Sequence, residues 1–138
     1  MIFHRLKLRN FGVYAGEHEI ELAPKKKGSP VILFGGLNGR GKTTLLDAIQ
    51  LLFFGKLNKC SNRGKTAYDK FLLDSMTRSV EPSEGSSLEL EFKESNASNE
   101  PSFWIKRSWA KTNGKLNENF EVWKGGEKDS FLSNHWLE

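Results

Sequence analysis

The chain has 138 residues, of which 37% are hydrophobic and 12% aromatic, a composition that favours a single domain over residues 1–138 with a substantial core. No apolar run reaches the roughly 18 residues of a membrane-spanning helix, and the start alternates too early for a secretory signal, so we expect a soluble, cytoplasmic protein. The single cysteine, Cys60, excludes an internal disulfide. With only three histidines beside it, the sequence lacks the ligand spacing of a structural zinc site.

The net charge of +4 is distributed unevenly along the chain. Residues 1–70 contain 13 Lys and Arg against 5 Asp and Glu, whereas residues 71–138 contain 8 against 12. A basic first half favours an anionic partner, such as a nucleotide or a nucleic acid.

The first predicted elements form an antiparallel hairpin. Alternation over residues 2–9 places Phe3 with three basic residues on one face of a strand, and Leu6 and Leu8 on the other face. Two glycines then indicate a turn, and alternation resumes over residues 18–22. This pattern is typical of a hairpin with one face in the core.

A loop, a buried strand and a helix are predicted next. Residues 24–30 contain three consecutive lysines, which we interpret as a solvated loop rather than a DNA contact. Residues 31–34 are continuously apolar and end in glycines, which is typical of a central strand covered on both faces. From Lys42 the apolar residues recur at helical spacing, and Gly55 is placed to end the helix.

The second half of the sequence predicts short elements. Over residues 67–76, Tyr68, Leu72 and Met76 are spaced four apart and are expected in the core of a short helix. The remaining predicted elements are strands at residues 88–92, 103–107 and 120–122, a hairpin turn at Asn113-Gly114, a polar connection over residues 95–101, and a helix over residues 130–137.

One motif carries chemistry. Gly36-Leu37-Asn38-Gly39-Arg40-Gly41-Lys42-Thr43 fits the phosphate-binding loop G-x-x-x-x-G-K-[ST], and it lies between an apolar strand and a helix, as that motif requires. Glycines allow backbone N–H groups to surround a triphosphate and supply positive φ angles. Lys42 is expected to reach the β- and γ-phosphates of ATP, and the Thr43 hydroxyl to bind Mg²⁺. The candidate binding residues are Gly36, Asn38, Gly39, Arg40, Gly41, Lys42, Thr43 and Thr44.

A second, similar segment is rejected as a phosphate loop. Residues 62–66 repeat the Gly-Lys-Thr ending, but Lys59 stands where the first motif has Gly36, and no buried strand precedes it. Arg63 or Lys65 could instead lie near a nucleotide or DNA, or belong to a surface loop, and both interpretations stay open.

The carboxylate that hydrolysis requires is missing. A catalytic acid is expected directly after a buried strand, where it holds Mg²⁺ and polarises the attacking water. Asp74 follows a run that looks helical, and Asp47 lies inside the helix, where we interpret it as a surface polar residue. Residues 83–86 are interpreted as a turn.

Several tryptophans raise the possibility of nucleic-acid binding. Trp104, Trp109 and Trp123 are interleaved with basic residues, and such patterns can stack bases. Alternation places Trp104 on the face opposite Ile105. We favour packing of the Trp104 face beneath another element over base stacking.

These residues resemble a known family. The run from Leu33 to Gln50, preceded by Leu8-Arg9-Asn10-Phe11, resembles the amino-terminal lobe of an SMC-like ATPase head. Together with residues 104–109, it is similar to the DndD family, the ATPases of the bacterial DNA phosphorothioate (sulfur) modification system. One departure is Gly12, because related repair ATPases often carry at this position an arginine that touches the nucleotide.

The resemblance implies an α/β P-loop NTPase of the ABC/SMC type: a mixed sheet with a P-loop helix and additional antiparallel strands. It implies ATP and Mg²⁺ as cofactors, and as partners a carboxy-terminal lobe, a second head, DNA and other proteins of the sulfur-modification complex. The coiled coil, signature motif and Walker B motif of such heads do not occur in the sequence, and Gln50 does not match their glutamine loop. We therefore expect an amino-terminal lobe that binds nucleotide with negligible hydrolysis.

Three alternatives remain. The chain could be the ATPase lobe of a related DNA double-strand-break repair complex, a complete small P-loop kinase or GTPase, or a nucleic-acid-binding module whose glycine loop grips backbone phosphates. The kinase or GTPase is disfavoured by the missing Walker B acid and by antiparallel strands where βαβ repeats are expected.

Overall fold

A computed structural model describes residues 1–24, 31–61, 63–94 and 100–136. The lysine-rich loop at residues 25–30 and most of the polar connection after residue 94 therefore lie outside the described residues. The elements are β1 (Ile2–Phe11), β2 (Tyr14–Glu21), α1 (Lys42–Phe54), a 3₁₀ turn (Gly55–Leu57), α2 (Tyr68–Asp74), β3 (Ser86–Lys93), β4 (Phe103–Thr112), β5 (Lys115–Lys124), β6 (Glu127–Lys128) and α3 (Ser130–His135). No helix in the described part of the chain is long and apolar enough to cross a membrane.

The strands form one six-stranded sheet in the order β2-β1-β3-β4-β5-β6. Every neighbouring pair is antiparallel, so the expectation of a mixed sheet is wrong for the described residues. The hairpin predicted at Asn113-Gly114 is confirmed: Thr112 pairs with Lys115, and both turn residues have positive φ angles, 53° and 78°. Such a turn matches the twist of the strands that it joins.

The helices lie in a crossover connection. Both β2 and β3 run antiparallel to β1 and flank it, so β2 and β3 are parallel to each other. The chain leaves β2, forms α1 and α2, and returns as β3 on the far side of β1. This path lays α1 across the central strands.

The core fills the space between the sheet and these helices. Leu6 and Leu8 are each 1% exposed, which confirms the predicted inner face of β1. The fully buried apolar side chains on that face are Leu88 and Leu90 from β3, Ile105 from β4 and Val122 from β5, and α1 contributes Ala48, Leu51 and Leu52. Burying a side chain of leucine size stabilises the fold by about 1.5–3 kcal/mol.

Phe3 does not lie on the basic face of β1, and that prediction is wrong. The register between β1 and β3 shifts between Phe3 and Arg5, and a β-bulge of this kind changes which face a side chain occupies. The Phe3 ring packs in the core instead, with its centroid 6.0 Å from that of Phe53 and 6.5 Å from that of Phe92.

The short helix α2 is shorter than predicted. It ends at Asp74, and Met76 forms an isolated β-bridge with Phe11 instead of continuing the helix. The predicted burial of Tyr68, Leu72 and Met76 is nevertheless confirmed, at 9%, 0% and 6% exposure. A turn is observed at residues 82–84, with the Glu84 N–H donating to the Glu81 carbonyl at 2.9 Å. The turn predicted at residues 83–86 therefore lies slightly earlier, and Ser86 is instead the first residue of β3.

The apolar run at residues 31–34 is not a buried central strand, which corrects the sequence prediction. Leu33 is 89% exposed and Val31 72%, and the run belongs to no strand. A central strand needs backbone partners on both edges and side-chain contacts on both faces. No described strand pairs with this run, so its composition alone does not bury it.

The outer face of the sheet carries Trp104 and Trp123, whose ring centroids are 4.0 Å apart. The helices pack on the opposite, inner face, so packing of this face under another element is not observed in the described residues. The neighbouring cations are paired: Lys106 lies 2.8 Å from Glu89, and Arg5 lies 2.9 Å from Glu91. These pairs argue against a phosphate-binding surface around the tryptophans.

Candidate nucleotide-binding site

Helix α1 begins directly after the glycine loop and presents an uncapped N-terminus. Its N-cap residue is Gly41, no side chain caps it, and its first turn contains no acidic residue. The first intrahelical hydrogen bond runs from the Leu45 N–H to the Gly41 carbonyl, 3.1 Å. The N–H groups of the preceding residues, together with the positive end of the helix dipole, favour an anion at this position.

The Lys42 side chain folds back across the loop. Its Nζ donates to the carbonyl oxygens of Gly36, at 2.6 Å, and of Leu37, at 2.9 Å. The Lys42 side chain therefore connects the last residues of the motif to its first two residues. Phosphate oxygens form stronger, charge-assisted hydrogen bonds than neutral carbonyls do, so an anion in the loop can replace these partners.

The glycines of the motif have different roles. Gly39 and Gly41 have φ angles of 77° and 91°, as the motif predicts. Gly36 does not adopt a positive φ angle, so the expectation that the glycines of the motif supply positive φ angles is wrong for this residue. A Cβ atom on Gly41 would lie 2.7 Å from Val13 Cγ2, so the hairpin turn between β1 and β2 also requires glycine there.

The two threonines of the motif point to different surroundings. Thr43 is exposed in the first turn of α1, whereas Thr44 packs against Gly12, where an added Cβ would lie 2.6 Å from Thr44 Cγ2. A side chain at residue 12 would therefore meet Thr44 of α1, and the φ angle of 58° at this position also favours glycine. Asn38 and Arg40 are exposed, and the Arg40 N–H closes a turn onto the carbonyl of Leu37, 3.3 Å.

Asp47 attaches the loop after α1 to the helix. Its carboxylate accepts hydrogen bonds from the backbone N–H of Ser61, 3.0 Å, and from the Ser61 hydroxyl, 2.6 Å. The adjacent Cys60 thiol donates to the Asp47 carbonyl, 3.3 Å, and burial raises the pKa of this thiol to about 12. Ser61 could not be predicted from the sequence, because a serine in a loop does not indicate which residue it will contact.

Arg63 is used within its own loop. Its guanidinium group donates to the backbone carbonyls of Lys56 and Asn58, the latter at 3.1 Å, and lies 5.3 Å from the centroid of the Tyr68 ring. Lys65 is exposed. The structure therefore favours the surface-loop interpretation for Arg63 over a nucleotide contact.

A sheet covered on one face by helices, with a glycine loop leading into the helix at its centre, defines an α/β P-loop ATPase-like module. Residues 5–136 match the AAA domain family. The chain belongs to this family and is an SMC-like ATPase nucleotide-binding module. No curated protein matches the chain.

Proposed function

We propose that this chain is the amino-terminal lobe of an SMC-like ATPase head of the DndD family, which binds ATP with Mg²⁺ and acts in DNA phosphorothioate modification. The observation that carries nucleotide binding is the junction at Gly41, where an uncapped helix N-terminus meets the Lys42 ammonium group. The finer assignment to sulfur modification is supported by the sequence resemblance of residues 33–50 and 104–109.

Binding of ATP replaces the present hydrogen-bond partners of Lys42 with phosphate oxygens. Lys42 leaves the carbonyls of Gly36 and Leu37 and bonds to the β- and γ-phosphates, while the backbone N–H groups of the first turn of α1 hold the remaining oxygens. Thr43, exposed beside them, would supply a hydroxyl ligand to Mg²⁺. No carboxylate for activating water lies in the motif, so this chain alone binds nucleotide with negligible turnover.

Exposed apolar side chains around α1 support the assignment as one lobe of a larger head. The side chains exposed by 47% or more in and beside the motif, on α1 and after it are Val31, Leu33, Phe34, Leu37, Leu46, Phe54 and Leu57. Exposed apolar side chains in this number, close in sequence to the phosphate loop and α1, favour an interaction surface there. We propose that the carboxy-terminal lobe covers it, and that ATP joins this head to a second head, which changes the contact of the complex with DNA and with other sulfur-modification proteins.

A binding titration tests the nucleotide site. A fluorescent ATP analogue is titrated into the chain with and without Mg²⁺, alongside Lys42→Ala and the matched control Lys65→Ala. The control removes a lysine from the same Gly-Lys-Thr context in a loop without phosphate-loop geometry. Losing charged hydrogen bonds predicts a roughly tenfold to hundredfold weaker affinity for Lys42→Ala, with Lys65→Ala unchanged. Equal affinities for all three proteins, or appreciable hydrolysis by the chain, would contradict the proposal.

The biological role is tested in cells that carry sulfur-modified DNA. The full-length protein with Lys42→Ala replaces the wild type, and mass spectrometry of digested DNA measures phosphorothioate-linked dinucleotides. We expect their level to fall with Lys42→Ala and to stay normal with Lys65→Ala. Unchanged DNA sulfur together with increased sensitivity to double-strand breaks would support the repair assignment instead.

A further inference from the structure

The turn between β1 and β2 makes a polar contact with the phosphate loop. The Tyr14 hydroxyl donates a hydrogen bond to the backbone carbonyl of Gly41, 3.3 Å. Burial raises the pKa of Tyr14, so its hydroxyl keeps the proton that it donates. Tyr14 is not part of the phosphate-loop motif and lies 27 positions before Gly41.

The carbonyl that Tyr14 contacts has a second role. It also accepts the first hydrogen bond of α1, from the Leu45 N–H at 3.1 Å. The peptide unit that joins Gly41 to Lys42 is planar, and its C=O and N–H groups point in opposite directions. Two donors on the Gly41 carbonyl therefore fix the direction in which the Lys42 backbone N–H points, away from Tyr14 and toward the loop.

Tyr14 is itself held firmly. Its backbone carbonyl accepts a hydrogen bond from the Thr77 hydroxyl, 3.1 Å, and its ring contacts the His18 ring edge-on, with centroids 5.3 Å apart. The same turn is attached through the Gly12 N–H to the Ser75 carbonyl, 2.7 Å. The hydroxyl therefore approaches Gly41 from a support that is anchored on two sides.

We propose that Tyr14 is a positioning residue for the phosphate loop: its hydroxyl orients the Gly41 peptide so that the Lys42 backbone N–H faces the bound phosphates. This inference rests on the proposed function of the loop in nucleotide binding. In this chain the β1–β2 turn thus acts on the nucleotide through the backbone, and Gly12 of the same turn, which packs against Thr44, has no side chain that could touch the nucleotide.

The test compares two tyrosine hydroxyls. Tyr14→Phe removes the contact with Gly41, and Tyr68→Phe removes a hydroxyl that donates to Glu118 of β5 at 2.6 Å. Both variants are titrated with inorganic tripolyphosphate and with the fluorescent ATP analogue, and urea unfolding monitors their stability. The loss of one hydrogen bond that orients a ligand-binding N–H predicts roughly threefold to tenfold weaker binding of both probes by Tyr14→Phe. Tyr68→Phe should bind both probes like the wild type.

An NMR measurement separates positioning from general destabilisation. The Lys42 amide resonance should shift in Tyr14→Phe without ligand and stay in place in Tyr68→Phe. Normal binding and an unmoved Lys42 amide in Tyr14→Phe would overturn this inference alone. Weaker binding of the ATP analogue but not of tripolyphosphate would also overturn it, because the tyrosine would then contact the nucleoside. A wild-type chain that binds neither probe would overturn the proposed function, and this inference with it.

Discussion

Arg107 is a buried cation whose partner can be removed by a single substitution. It lies on the inner face of β4 at 6% exposure, and its Nη1 donates to Glu118 Oε1 at 2.6 Å. Its Nη2 donates to the carbonyl of Leu52 in α1, 3.3 Å, and the guanidinium carbon lies 4.4 Å from the centroid of the Phe120 ring. The Nε atom has no hydrogen-bond partner in the described part of the chain, so Glu118 is the main compensation for the buried charge.

The cost of removing Glu118 follows from this geometry. Breaking a fully buried ion pair by deleting one partner costs about 3–5 kcal/mol, because the other charge stays in the core. The Glu118 side chain is 22% exposed, so water partly compensates for its loss. We therefore expect Glu118→Ala to lower the free energy of unfolding by about 2–3 kcal/mol and the melting temperature by about 10 °C.

Urea unfolding followed by tryptophan fluorescence measures these values, with Arg107→Met/Glu118→Gln as the matched control. The double variant removes the buried charge, while the introduced amide still accepts the Tyr68 hydroxyl, so it should be more stable than Glu118→Ala. A Glu118→Ala loss below about 0.5 kcal/mol, the range of exposed ion pairs, would refute the reasoning. A double variant less stable than Glu118→Ala would refute it as well.

Three further predictions concern the loop, its attachment and the thiol. Gly41→Ala should lower the free energy of unfolding by about 3 kcal/mol in urea titrations, because strain at φ 91° adds to a steric clash with the β1–β2 turn. Gly16→Ala is the control for backbone strain alone: with open space around it, it should lower the free energy of unfolding by about 1–2 kcal/mol. Asp47→Ala should speed amide hydrogen exchange at Ser61 by roughly fivefold, since about 1 kcal/mol of hydrogen bonding is lost; an unchanged rate would show that the loop does not depend on the carboxylate. Cys60 should react with iodoacetamide at pH 8 only when the structure opens, so rapid labelling of the folded chain would contradict its burial. The free energy of unfolding should also fall as pH rises from about 9 to about 12, because the thiol ionises at a lower pH in the unfolded chain than in the folded one.

Local patterns predicted the elements whose geometry depends on nearby residues. Helix α1 is observed from Lys42, and Gly55 ends it with a φ angle of 46°, because helical spacing and a glycine terminator are both encoded within 14 residues. The turn at Asn113-Gly114 follows from dipeptide stereochemistry. The motif likewise predicted where the helix N-terminus and Lys42 meet.

The sequence predictions were wrong where contacts with residues distant in sequence decide the local structure. Residues 31–34 have the composition of a central strand, but a strand forms only where partner strands reach it. The bulge that turns Phe3 into the core depends on the register with β3, more than 80 residues away. Gly55 was identified only as a helix end, although an added Cβ would also lie 2.9 Å from Arg107 Nη2. The role proposed for Tyr14 depends in the same way on a contact between separate elements.

The crossover from β2 to β3 affects the order in which the protein folds. Pairing Arg9 with Ser87 closes a loop of about 78 residues, which costs roughly 3 kcal/mol more chain entropy than closing the short hairpin between β4 and β5. Hairpins therefore form early, and the central pairing of β1 with β3 limits the folding rate. Helix α1 acquires its packing surface only in that late step, so the phosphate loop becomes ordered together with the centre of the sheet rather than before it.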